Sequence, residues 1–523
     1  LPGDLWIGPS DLRVHPDGEA YYSGDLISFQ VFAHHGYDWK SSSPPDVGVQ
    51  LWLGAPGEGE LIGEDRVAFH GQRDGEAWVE WAWDTTGVAG YQTLTLVLDP
   101  DDEIQIGDED PSNNLVTRVV ELRPSDELPA VWADARWIQE KSACCVFHYI
   151  SGSAAERDIE MLMTLADEAI AFAGERLGED TDQVDLNVYL IDRVLGHGGF
   201  AGNAVIISYL DRFYPGGQLA QVFRHEGVHV LDRRFAEHRP ALLAEGLAVY
   251  VSGGHFRPEP TTERARALLA LERYIPLGEL ADDFYPSQHE IGYLQAAGFV
   301  SYLIDRFGWE DFKAFYSAMQ NNDGGQAAMI DAALQEHFGL TLAKTEAEWL
   351  VTLQKLPTSV AQVTDLRLTI EFYDTVRHYQ QAWDPSAYFR RVWLPEIEEA
   401  ERKGITADWN RHPSGLINVT LETMFIAADR ALDEAAYTQA EGLLNAIKGV
   451  LATDGDLTAN PLAEQYRALV QATATVGYEA QRIDLDMKRN QARVLVTKDH
   501  GADTVELTFT RGAGVWRVTS WGN

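Results

Sequence analysis

Cysteine is almost missing from this 523-residue chain: there are two, Cys144 and Cys145, and they are adjacent. A framework of stapling disulfides is thereby excluded, and without CxxC spacing the pair is expected as two small apolar fillers of a core strand. Positive charge is also scarce. The 41 Lys and Arg face 81 Asp and Glu, a formal charge of -40 that repels polyphosphates and anionic lipid, so nucleic acid is not an expected partner. No run approaches the roughly 18 consecutive apolar residues of a spanning helix, so no membrane span is expected. There is no G-x-x-x-x-G-K-[ST] loop, no G-x-S-x-G elbow and no glycine fingerprint of dinucleotide binding.

What is present is ample apolar surface, 45% of residues, in a chain too long for one core. About three domains are expected. Residues 1–123 read as short alternating strands broken by Gly, Pro, Asp and Asn. Leu94, Leu96 and Leu98 share one face and Thr93 and Thr95 the other, as in a half-buried strand of a sandwich. The 23 acidic residues there outnumber 6 basic ones, with many in the loop Asp99 to Asp110. Ca2+ in such acidic loops is one expectation, plain solvation the other. Residues 124–130, PSDELPA, read as a linker. Strand and helix patterns then alternate over 131–355, and 356–523 reads as long helices followed by a strand-rich tail, an α+β accessory domain. The 15 Trp are assigned to packing and not to carbohydrate stacking.

Chemistry concentrates in Arg224 to Asp232, RHEGVHVLD, which carries HExxH in a helical pattern. Four residues make about one turn, so His225 and His229 stack on one face and can grip one metal ion. Zn2+ suits two imidazoles and a carboxylate with a position left for water. Glu245, in the second helical pattern PALLAEGLAVY that begins at Pro240, is the expected third ligand, reached if the chain turns at Glu237 to Arg239. Glu226, beside the metal, is the expected general base of amide hydrolysis.

Two resemblances add to this. HEGVH followed by LLAEGLAVY resembles the gluzincin zinc metallopeptidases, above all bacterial peptidase-MA-like domains, over about Trp132 to Lys355. The resemblance implies an α+β zincin-type peptidase domain, His225, His229 and Glu245 as ligands, and Glu226 as base. It also implies a downstream Tyr or His donor to the transition state: Tyr293, with Tyr285 and His289 as substitutes. In this family the strand before the metal helix, here Gly202 to Ser208, is the edge on which an extended substrate pairs. Aminopeptidases carry a Glu there, and no acid appears before Asp211, which favours an endopeptidase. The carboxylate expected four residues beyond the ligand Glu is replaced by Val249, leaving Asp232 or another acid to orient a histidine.

WDTT at 83–86, LDPDD at 98–102 and DPSNN at 110–114 resemble the bacterial cell-adhesion-related CARDB module, an immunoglobulin-like fold. That resemblance implies an extracytoplasmic, cell-surface setting with surface partners, consistent with Leu1 as the first residue of a processed chain. The final strands are similar to cone-shaped domains of the nuclear-transport-factor-2-like type. The expected protein is a secreted zinc peptidase acting on protein or peptide. The alternative is a surface binding or adhesion protein on an inactive peptidase scaffold.

Overall fold

The computed structural model describes residues 4–16, 20–36, 46–68, 76–104, 108–182, 184–196, 198–202, 204–255, 257–387 and 397–521. They form two compact units. The first takes in residues up to Trp137, Ile150–Ser153 and Arg390–Ser414; the second holds the remainder.

In the first unit, strands β1 (Leu5–Trp6), β2 (Leu12–Val14), β4 (Leu26–His35) and β7 (Glu76–Asp84) form one sheet, with β4 paired to the other three. The second sheet runs β3 (Tyr21–Tyr22), β9 (Leu115–Arg123), β8 (Gly90–Leu98), β5 (Asp46–Leu53) and β6 (Glu60–Ala68). Alternation explains the packing: Val47, Val49 and Leu51 are buried along β5 and meet Phe29 and Val31 of β4 in one core. After Pro129 a short helix α1 (Ala130–Ala133) follows. Arg411, beyond the helices α12 (Ile397–Lys403) and α13 (Ala407–Asn410), puts two guanidinium nitrogens on the Asp25 carboxylate at 2.9 and 2.6 Å. Residues 397–414, which the sequence places within the third region, therefore belong to the first unit, with Ala407 in its core and Arg411 in a buried ion pair with Asp25.

The second unit opens on a five-stranded sheet ordered β10 (Trp137–Lys141), β11 (Cys145–Ile150), β12 (Leu186–Ile191), β14 (Val205–Ser208), β13 (Gly199–Ala201). β11, β12 and β14 are parallel, and β13 is the antiparallel edge. The expectation that Gly202 to Ser208 is the free edge is corrected here: β14 is paired on both sides, and the edge belongs to β13, with Phe200 half exposed. Asn203 of that stretch lies outside the described residues. The cysteine expectation is also corrected. Cys144 stands in a bend before β11, so its side chain does not alternate with that of Cys145, and the two form a disulfide. Asp167 of helix α2 (Ala154–Leu177) accepts hydrogen bonds from the Cys144 amide and the Ser142 hydroxyl across that bend.

Helices α3 (Leu219–Asp232), α4 (Ala241–Ser252), α5 (Thr261–Ala270), α6 (Leu277–Asp282), α7 (His289–Phe307), α8 (Trp309–Ser317), α9 (Gln326–Phe338) and α10 (Leu342–Lys355) complete the first core of this unit. A second core lies among α11 (Val360–Trp383), α14 (Leu416–Asp433), α15 (Tyr437–Leu451), α16 (Pro461–Thr475) and an antiparallel meander, β15 (Glu479–Asp486), β16 (Gln491–Thr497), β17 (Thr504–Gly512), β18 (Val515–Trp521). Among the described residues no helix is long and apolar enough to cross a membrane.

Candidate metal centre

Two glycines let the helices that carry the site approach their neighbours. A Cβ on Gly227 of α3 would stand 3.2 Å from Ile170 of α2, and one on Gly246 of α4 would stand 2.7 Å from the Ala296 carbonyl oxygen of α7. The second contact is closer than any side chain allows. α3 and α4 run antiparallel, because Gln221 donates to the Ser252 carbonyl at 3.0 Å while His229, two turns on, meets Glu245. Pro240 precedes α4, and Gly253, at φ 82°, ends it in the left-handed conformation that glycine tolerates.

This packing brings His225, His229 and Glu245 together and buries all three. The separations are 3.1 Å from His225 Nε2 to Glu245 Oε2, 3.1 Å from His229 Nε2 to the same oxygen, and 3.1 Å between the imidazole nitrogens. Protons do not satisfy that triangle. If both nitrogens donate to Glu245, two N–H groups face each other; if one does not, a buried lone pair is left facing its neighbour. A tetrahedral zinc with bonds of about 2.0–2.1 Å places its ligand atoms about 3.3 Å apart, so the three donors fit such an ion in both spacing and type. The local field agrees. Burial works against ionised Glu245, yet the charge of His229 and hydrogen bonds from both histidines outweigh it and hold its pKa well below the usual range. Glu226 is buried beside them, its Oε2 without a hydrogen-bond partner, and burial pushes its pKa up.

Around the triangle, the Tyr285 hydroxyl donates to Glu245 Oε1 at 3.0 Å. The Tyr293 ring is buried 6.1 Å from that of His225 and stacks on His255 at 4.3 Å. The His289 side chain lies outside the described residues. Asp232 pairs with Arg239 Nε at 2.9 Å and accepts from the Tyr316 hydroxyl, and Arg239 Nη2 stands 3.1 Å from His229 Nδ1. The acid thus reaches the histidine through a guanidinium. Sequence reasoning misses Arg239, and it misses His255, whose Nδ1 lies 2.6 Å from Glu290 Oε1. Neither lies at a helical spacing from the residue it serves, so no local signal marks them.

No family model matches this chain, and no curated protein matches it. Among solved structures it is similar to native leukotriene A4 hydrolase from Saccharomyces cerevisiae, 11% identical over 90% of this chain and 88% of that one, with a TM-score of 0.29. The yeast enzyme in complex with bestatin gives 11% identity, 89% and 95% coverage and a TM-score of 0.30. A cell-surface protein domain from Methanosarcina acetivorans is 18% identical over 23% of this chain and 93% of its own, with a TM-score of 0.18. Scores this low define no shared fold, so the chemistry of the site rests on its own residues.

Proposed function

We propose that the protein is a zinc-dependent peptidase, with His225, His229 and Glu245 as ligands and Glu226 as general base. One observation carries the reading: three donors of zinc's preferred kinds meet at 3.1 Å beside an unpartnered buried carboxylate. A zinc ion held there supplies Lewis acidity, polarising a carbonyl and acidifying water. Glu226 takes the proton of the attacking water and returns it to the departing amine. Tyr285 steadies Glu245 by donating to its outer oxygen. Tyr293, whose ionisation the charges of Glu245 and Glu226 oppose after burial, is the proposed donor to the oxyanion.

The substrate is a peptide held as an extra strand, and endopeptidase action is favoured because the stretch from Gly202 to Leu210 carries no acidic residue to hold a free amine. The Cys144–Cys145 disulfide suits an oxidising, extracytoplasmic setting, with the front unit as an immunoglobulin-like surface module and the region 356–523, apart from the stretch that joins the first unit, as an accessory domain. The test is digestion of a proteome-derived peptide library by wild type and Glu226→Gln, with zinc content measured on both. Cleavage by wild type alone, at equal zinc, is expected, and the cut positions separate endo- from aminopeptidase action. Equal cleavage by both proteins removes Glu226 from the mechanism; zinc in neither removes the metal.

A further inference from the structure

The chain leaving α4 brings another histidine up to the metal centre. Gly254, at φ 152°, bends so tightly that a Cβ there would stand 1.9 Å from the Arg257 carbonyl oxygen, and its own carbonyl accepts from the Ser252 hydroxyl at 2.7 Å. The next residue, His255, is held from three directions. Its amide donates to Glu259 Oε1 at 3.3 Å, its Nδ1 lies 2.6 Å from Glu290 Oε1, and its ring stacks on that of Tyr293, the centroids 4.3 Å and the planes 18° apart. Glu259 is in turn paired with Arg264 Nε at 2.5 Å, and Arg264 with Asp365 of α11. The His255 ring is 6.1 Å from that of His225, beside the ligand triangle and not part of it.

Glu290 stands one turn before Tyr293 on α7 and is 1% exposed. Burying a carboxyl and an imidazole among apolar helices is unfavourable, and a hydrocarbon pair would fill the same space more stably. What the pair supplies is orientation. The bond to Glu290 fixes the imidazole plane, and that plane, with Phe284 tilted against the same phenol at 5.1 Å, confines the Tyr293 ring. Burial, and then the charge of His225, lowers the pKa of His255 to about 3, so the stacked ring is neutral and sets no cation beside the metal ligands. We infer that His255, oriented by Glu290, is a positioning residue that sets the plane of Tyr293 and so aims its hydroxyl at the oxyanion. This rests on the proposed peptidase reaction and on Tyr293 as its donor.

The experiment uses the full chain loaded with zinc and a peptide that the wild type cleaves. His255→Ala and Glu290→Leu are expected to lower kcat roughly 10- to 100-fold, the scale of a misplaced reacting group, with KM and zinc content unchanged. Glu290→Gln should restore most of what Glu290→Leu loses, because its amide oxygen accepts the same Nδ1 hydrogen bond. Combined with Tyr293→Phe, His255→Ala should cause no further loss, since the hydroxyl it aims is already gone. If His255→Ala does not fold, His255→Phe, which keeps a ring face and drops the Nδ1 bond, takes its place. A readout free of turnover is the fluorine spectrum of protein labelled with 3-fluorotyrosine. The Tyr293 resonance, identified by its absence from Tyr293→Phe, should move in Glu290→Leu and return in Glu290→Gln. Losses that multiply in the double variant, a Tyr293 resonance indifferent to Glu290→Leu, or an undiminished kcat in the His255 variants overturns this inference alone. A wild type that cleaves no peptide overturns the peptidase reading and this inference with it.

Discussion

Two buried charge clusters in the second unit are built on opposite principles. Around Arg212 one guanidinium bridges two carboxylates: it pairs with Glu422 through Nε at 2.5 Å and with Glu479, and Tyr379 donates to the other Glu422 oxygen at 2.5 Å. Around His225, three donors converge with no cationic side chain between them, and Glu226 keeps an oxygen unpaired. Burial is similar in both. The difference teaches how a structural charge cluster differs from one proposed to hold a metal: the first is satisfied by the protein's own side chains, the second gathers donors that share no cation of the protein.

The largest effect should come from breaking the finished cluster. Arg212→Met leaves Glu422 buried without its cation and is expected to cost about 3–5 kcal/mol, read as a lowered denaturant midpoint. Adding Glu422→Gln should restore part of that loss; no recovery would mean that Arg212 acts by packing alone. In the unfinished cluster stability should hardly move and chemistry should. Tyr293→Phe is expected to lower turnover roughly 100- to 1,000-fold with zinc content unchanged. Tyr285→Phe, which removes a donor from a ligand carboxylate, should instead weaken zinc affinity roughly tenfold, seen by competition with a chelator. Interchanged phenotypes would exchange the two roles.

The same contrast explains what the sequence discloses. The strand carrying Leu94, Leu96 and Leu98 buries all three, as its alternation predicts, and the helix at Ala154–Leu177 buries apolar residues that recur at the helical period. The approach of Glu245 to His225 and His229 is legible too, since one helical turn and one short loop fix it. Arg212, 210 positions from Glu422, is not legible, nor is the pairing of Arg411 with Asp25 across 386 positions. Such partners are chosen by tertiary packing, which leaves no period in the chain. β13 is hidden for another reason: three residues are too few to show alternation, so the longer run behind it passes for the edge.

A third cluster lies between these extremes and gives the most graded effect. Asp429 on α14 is held by burial, and then by the like charge of Asp433, at a pKa of about 7, while Arg257 and the Gly217 amide only partly oppose the rise. In the unfolded chain the same carboxyl titrates near 3.8. The folded state therefore binds this proton more tightly, and the contribution to stability is fully present below the unfolded pKa. It is lost as pH climbs from about 4 to about 7 and is constant above. Asp429→Asn fixes the group in a neutral form and should abolish that share of the decline. The difference in unfolding free energy between variant and wild type should grow across this window by about 1.4 kcal/mol per pH unit at most and then level off. A difference independent of pH would show that Arg257 compensates Asp429 as completely as Arg212 does Glu422, and the intermediate cluster would join the finished kind.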